Sequence, residues 1–127
     1  MKGDDISERL IGFAVRIIRL VQALPKTLVG RHVGGQLIRA GTSAGSNYEE
    51  GRGGESRADF IHKLGVAWKE CRESLYWLKI IHRAQLLAPT RLEGLIQEAG
   101  ELSAILAASI KTAKRGRQQR EGDEQTQ

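Results

Sequence analysis

Residues 38–54 read "IRAGTSAGSNYEEGRGG", seventeen positions with five glycines, two serines, a threonine and an asparagine, set between two strongly apolar stretches. Such a run can be a phosphate-cradling loop, a disordered linker or a helix of small residues, and the choice decides the fold class. A phosphate loop of the Walker type needs GxxxxGK[ST], with a lysine that reaches the outer phosphates. The run contains no lysine. The residues before it do not alternate as a strand does, and no βαβ pattern follows. At helical spacing, by contrast, Leu37, Ala40, Gly41, Ala44, Gly45 and Tyr48 share one face, and Arg39, Ser43, Ser46 and Glu50 point away from it. Each glycine costs about 1 kcal/mol relative to alanine inside a helix. The pattern therefore predicts a second helix packed close enough to offset that cost. The predicted span is 33–49, with Gly51 as its C-terminal stop.

Three further helices are legible on either side. Leu10, Phe13, Ala14, Ile17, Leu20, Val21 and Leu24 recur at spacings of three and four, which predicts a helix over 6–24. Ser7 or Asp5 is its candidate cap, and Pro25 its terminator. "LPKTLVGR" then reads as a turn. Phe60, Leu64, Ala67, Trp68, Cys71, Leu75, Leu78, His82 and Leu86 predict a long helix over 56–87. Thr90, with Glu93 three residues on, resembles a capping box, and the inward set Leu92, Leu95, Ile96, Ala99, Leu102, Leu106 and Ile110 predicts a last helix over 91–114. Short connections make neighbours antiparallel, so the expected fold is all-α, an up-down-up-down four-helix bundle. Residues 1–114 form its single domain, and 115–127 read as a disordered charged tail.

The single cysteine, Cys71, has no partner for a disulfide or a CxxC site. The acidic N-terminus and the lack of a long apolar run point to a cytoplasmic protein. No HExxH or Glu-xx-His pattern suggests a metal, Ser43 has no histidine at useful spacing, and Glu70 and Glu73 read as ion-pair partners of Arg or Lys. No catalytic group, metal site or cofactor is therefore expected. Net charge is +5 and the isoelectric point is near 9.7, which favours polyanionic partners.

"LPK" at 24–26, "GQLIRAGTSAGSNYEEG" at 35–51 and "FIHKLGVAWKECRESLYWL" at 60–78 carry a resemblance to proteins encoded in intervening sequences of bacterial 23S ribosomal RNA genes. That four-helix-bundle family includes the accessory variability determinant of diversity-generating retroelements. The similarity spans about residues 5–112. Family members often have Ile where Ala44 stands, and Ala or Ile near Tyr48 and Glu49, so the match is not complete. The resemblance implies a homopentameric ring, and its retroelement members suggest nucleic acid and a reverse transcriptase as partners. It fixes fold more firmly than function.

The charges supply the functional expectation. Lys69, Arg72, Lys79 and Arg83 fall within one quadrant of the third helix, and Arg9, Arg16 and Arg19 line a flank of the first. Between Lys69 and Arg83 the stripe is about 21 Å long at 1.5 Å per residue, enough to follow several phosphates. The expected nucleic-acid-binding residues are Arg16, Arg19, Lys69, Arg72, Lys79 and Arg83. A solvated face with intrahelical pairs is the plainer reading of the same stripe. Val66, Trp77 and Ile81 lie on the other side of the third helix and are the expected oligomer interface, against the alternative of a wide core stripe. The expectation is a non-catalytic nucleic-acid-binding accessory protein, binding RNA or DNA and assisting a reverse transcriptase or acting on structured RNA. The alternative is a protein-interaction scaffold.

Overall fold

The computed structural model describes residues 2–54 and 56–126. They form four helices, α1 (Gly3–Gln22), α2 (Leu28–Arg52), α3 (Arg57–Arg83) and α4 (Glu93–Thr126), with a 3-10 turn at Pro89–Arg91 before the last. No strand occurs among the described residues. The helices run antiparallel in sequence order. Arg52 at the end of α2 reaches Asp4 at the start of α1, Gly51 of α2 sits against Lys63 of α3, and Arg9 of α1 holds Glu98 of α4. The seam between α2 and α3 is the most extensive, and α1 meets α4 along a thinner one.

α2 is the helix of small residues. Leu37, Ala40, Gly41, Ala44 and Tyr48 are buried, as their spacing predicts, and Gly45 is half-buried. A Cβ on Gly41 would collide with Ile17, and one on Gly34 would stand 3.1 Å from Val21 Cγ1. These are the close approaches to α1 that offset the glycines' backbone entropy. α2 is also longer than its pattern suggests. It starts at Leu28, because the Thr27 hydroxyl accepts from the Gly30 amide at 3.1 Å and caps the first turn. Gly51 is buried inside the helix, and Gly53 ends it.

The other boundaries shift for local reasons. Neither Ser7 nor Asp5 caps α1. Its N-cap is Lys2, with no side-chain bond, while Asp4 and Asp5 lie in the first turn where the helix dipole favours carboxylates. α3 is capped by Ser56, whose hydroxyl accepts from Asp59 N at 3.1 Å. It stops at Arg83 rather than 87, as Gln85 takes a left-handed φ of 56° and the Leu86 amide donates back to the Ile81 carbonyl at 3.1 Å. Thr90 belongs to the 3-10 turn, so the expected capping box does not form. α4 continues past Lys114 to Thr126, and the boundary drawn at 114 is not a helix end.

The core is aliphatic except for Phe13 and Tyr48. On α3 the buried residues are Leu64, Ala67, Cys71, Ser74, Leu78 and Ile81, alternating steps of three and four, a heptad-like seam. Ser74 is tolerated there because its hydroxyl donates to the Glu70 carbonyl at 2.8 Å. Leu75 and His82, expected inward, are only half-buried.

Candidate nucleic-acid interface

α3 packs between α2 and α4, so its surface has two flanks. On the α2 side, Arg39 is shared by Glu70, 3.1 Å from its Nη1, and Glu73, which it contacts through Nη2. Lys63 meets Glu50 at 2.7 Å. Glu50, Glu70 and Glu73 thus each face a cation of the neighbouring helix, and Glu49 accepts from the Ser7 hydroxyl.

On the α4 side, Lys69, Arg72, Lys79 and Arg83 are all exposed, and none is in an ion pair among the described residues. Arg72 stacks its guanidinium 5.0 Å from the centroid of Trp68, which holds a flexible cation in place while leaving its N–H donors free. Lys69 stands on one bank of a groove of about 340 Å³ and Lys114 of α4 on the other. Ile61, Trp68 and Ile110 help to line the groove. The basic flank therefore continues from α3 onto α4, where the sequence offers Lys111, Lys114, Arg115, Arg117 and Arg120. Lys114 was not among the expected site residues. It stands at the end of the predicted last helix, and nothing in the sequence aligned it with Lys69.

Arg16 and Arg19 are exposed as expected but do not join this flank. They lie on the far side of α4, in a depression shared with Arg91, Leu20 and Leu95. The third member of that row, Arg9, is taken up by Glu98, whose carboxylate holds the Arg9 guanidinium even more strongly protonated than usual. α4 thus has a basic cluster on each side.

Within the expected oligomer interface, Ile81 needs a correction. Ile81 is fully buried within the chain and offers no surface to a partner. Trp77 is half-buried, donates from Nε1 to Glu73 Oε2 at 3.1 Å, and meets the rings of His32 and Tyr76 edge-on at centroid distances of 5.9 and 5.0 Å. Val66 is also half-buried. The large apolar residues that do face outward are Ile11, Val15 and Ile18 on α1, Leu28 and Val29 at the start of α2, and Tyr76 on α3. Ile11, Val15 and Ile18 recur at steps of four and three, a signal that was readable but stood beside the core stripe of the same helix.

Cys71 is a buried free thiol. Burial, helped by the nearby charge of Glu98, pushes its thiol up to about 12. Among the described residues no group of three His, Cys, Asp or Glu side chains could hold a metal ion, and no helix is long and apolar enough to cross a membrane.

Residues 4–108 match the sequence pattern of the 23S rRNA-intervening sequence protein family. The fold is similar to a crystal structure, at 1.70 Å, of a protein of unknown function from the S23 ribosomal protein family of Bacteroides thetaiotaomicron VPI-5482. That similarity has a TM-score of 0.76 at 35% identity, over 87% of this chain and 99% of the other. No curated protein matches the chain.

Proposed function

Starting from a chain that belongs to the 23S rRNA-intervening sequence protein family, we propose that it is a non-catalytic binder of nucleic acid, which lays the phosphate backbone along the α4-facing flank of α3. The observation that carries the reading is the row Lys69, Arg72, Lys79 and Arg83, exposed and free of ion pairs among the described residues, beside a flank where Lys63, Glu70 and Glu73 each pair with a charge of α2. Such a row contacts backbone charge rather than base edges, so binding is electrostatic and tolerant of sequence. An accessory role beside a reverse transcriptase rests on the resemblance to the retroelement protein, and a place in the cytoplasm on the acidic N-terminus and the lack of a long apolar run in the sequence. The test is a titration of labelled structured RNA and duplex DNA at 50 and 200 mM salt. Four neutralised phosphates weaken binding by roughly two orders of magnitude between the two conditions. No binding at the lower salt overturns the reading.

Self-association is the second part of the proposal, and the exposed apolar residues favour it. Ile11, Val15 and Ile18 on α1 form one patch. Leu28 and Val29 lie one helical turn from His32, which touches Trp77 and through it Tyr76 in a second patch. Two unlike patches suit a head-to-tail contact, which closes into a ring when the rotation permits. The homopentamer is the stoichiometry that the resemblance suggests, and a ring of five would multiply the basic flank. Light scattering at micromolar concentration gives the mass directly. A monomer would remove the ring and favour a single-chain binder, whereas an oligomer without affinity for nucleic acid would favour the scaffold.

A further inference from the structure

A second groove, larger than the one beside Lys69, is lined by none of Lys69, Arg72, Lys79 and Arg83. At the end of the bundle where α1 and α3 begin and α2 finishes, residues 105–113 of α4 complete a groove of about 510 Å³. That volume is within the range of sites for small ligands. Ile6, Phe60 and Ile105 supply apolar lining, and Arg52 and Arg57 are its two cations, with no carboxylate in the lining. The two arginines are not equivalent. Arg52 is already engaged by Asp4 at 2.6 Å and by the Ser7 hydroxyl at 2.6 Å. Arg57 is half-buried, is in no ion pair among the described residues, and extends towards α4, where a Cβ on Gly116 would come within 3.8 Å of its Nη1. Tyr48, also in the lining, has only a long 3.5 Å contact from its hydroxyl to the Gly3 carbonyl. Burial raises its phenol above the usual range.

We propose that this groove binds a small amphiphilic anion, an aromatic body with a phosphate or carboxylate head, the body on the Phe60 side and the head against Arg57. A half-buried guanidinium with no counter-charge among the described residues gains most from an anion that can accept its N–H groups in pairs, and the apolar lining adds affinity only for a ligand with a body. None of Lys69, Arg72, Lys79 and Arg83 lines this groove, so variants of that row and variants of Arg57 test the two sites separately.

Calorimetric titration of the full chain with 1-naphthyl phosphate tests it, with inorganic phosphate and 1-naphthol as the head-only and body-only arms. The expected result is one site per chain for 1-naphthyl phosphate, with both single-feature arms at least tenfold weaker. Arg57→Gln should weaken binding roughly tenfold, the loss of one charge-assisted contact. Ala108→Trp, at an exposed position of the lining where the fold is not at risk, should block the groove. The triple variant Arg72→Gln, Lys79→Gln, Arg83→Gln should bind 1-naphthyl phosphate as the parent does. Absence of binding at millimolar ligand, equal affinity for inorganic phosphate, or affinity untouched by both groove variants overturns the proposal.

Discussion

On its α2 side α3 carries Glu70, Glu73 and Lys63, and each meets an opposite charge from α2. On its α4 side it carries Lys69, Arg72, Lys79 and Arg83, and among the described residues none does. The same helix thus has one flank whose charges are consumed by folding and another whose charges remain available. The difference lies in the neighbours. α2 presents Arg39 and Glu50 to the seam, whereas α4 brings Lys114 to the groove beside Lys69, like charge against like. A fold that needed the basic flank for its own stability would have placed acids there. Exposed pairs contribute at most about 1 kcal/mol each, so leaving the cations unpaired costs the fold little.

The strongest way to break this division is through the face that separates the two flanks. Ile81→Ala is expected to cost about 2–5 kcal/mol in denaturant unfolding, because the residue is fully buried in the core. An unchanged midpoint together with a smaller oligomer would return Ile81 to the interface. On that inner face, too, Cys71 has a thiol pushed up to about 12 by burial. Its folded pKa exceeds the unfolded value of 9.0, so its contribution to stability is complete below pH 9 and is lost as pH rises towards 12. Native protein should resist iodoacetamide at pH 8.5, and rapid alkylation without unfolding would show that the thiol is accessible. Arg39→Gln, which strips Glu70 and Glu73 of their partner, is expected to lower stability by about 1 kcal/mol or less and leave nucleic-acid affinity unchanged. A loss of affinity would mean that the α2 flank takes part in binding. The smallest effect belongs to the end of the row near Arg83. Gln85→Gly relieves a left-handed backbone and should raise stability by up to about 1 kcal/mol, seen as a higher melting temperature.

Much of this was legible in the sequence because small residues and heptads leave plain periodicities. The α2 face was readable from the steps between Leu37, Ala40, Ala44 and Tyr48. The inner face of α3 was half readable. Taking the fourth residue at each turn led from Cys71 to Leu75 and from Leu78 to His82, whereas the bundle uses the third and buries Ser74 and Ile81. A polar Ser74 hides that step, since only the structure shows its hydroxyl satisfied by the Glu70 carbonyl. The start of α2 was hidden by Pro25 and Gly30, which read as a turn until Thr27 is seen to cap the helix. The basic row of α3 was visible as spacing, but which flank stays unpaired depends on Arg39 and Lys114, residues distant in sequence that only the packing brings near.

The most direct test compares the two flanks in one assay. Labelled structured RNA is titrated at 50 mM salt with the parent protein, with the α4-side variant Arg72→Gln, Lys79→Gln, Arg83→Gln, and with the α2-side variant Arg39→Gln, Lys63→Gln. Removing three phosphate contacts should weaken binding by at least roughly tenfold and flatten the salt slope by about 3, with the melting temperature unchanged, while the α2-side variant binds as the parent does. Equal affinity for all three proteins, or a loss confined to the α2-side variant, would contradict the assignment of the free cations of α3 as the binding flank.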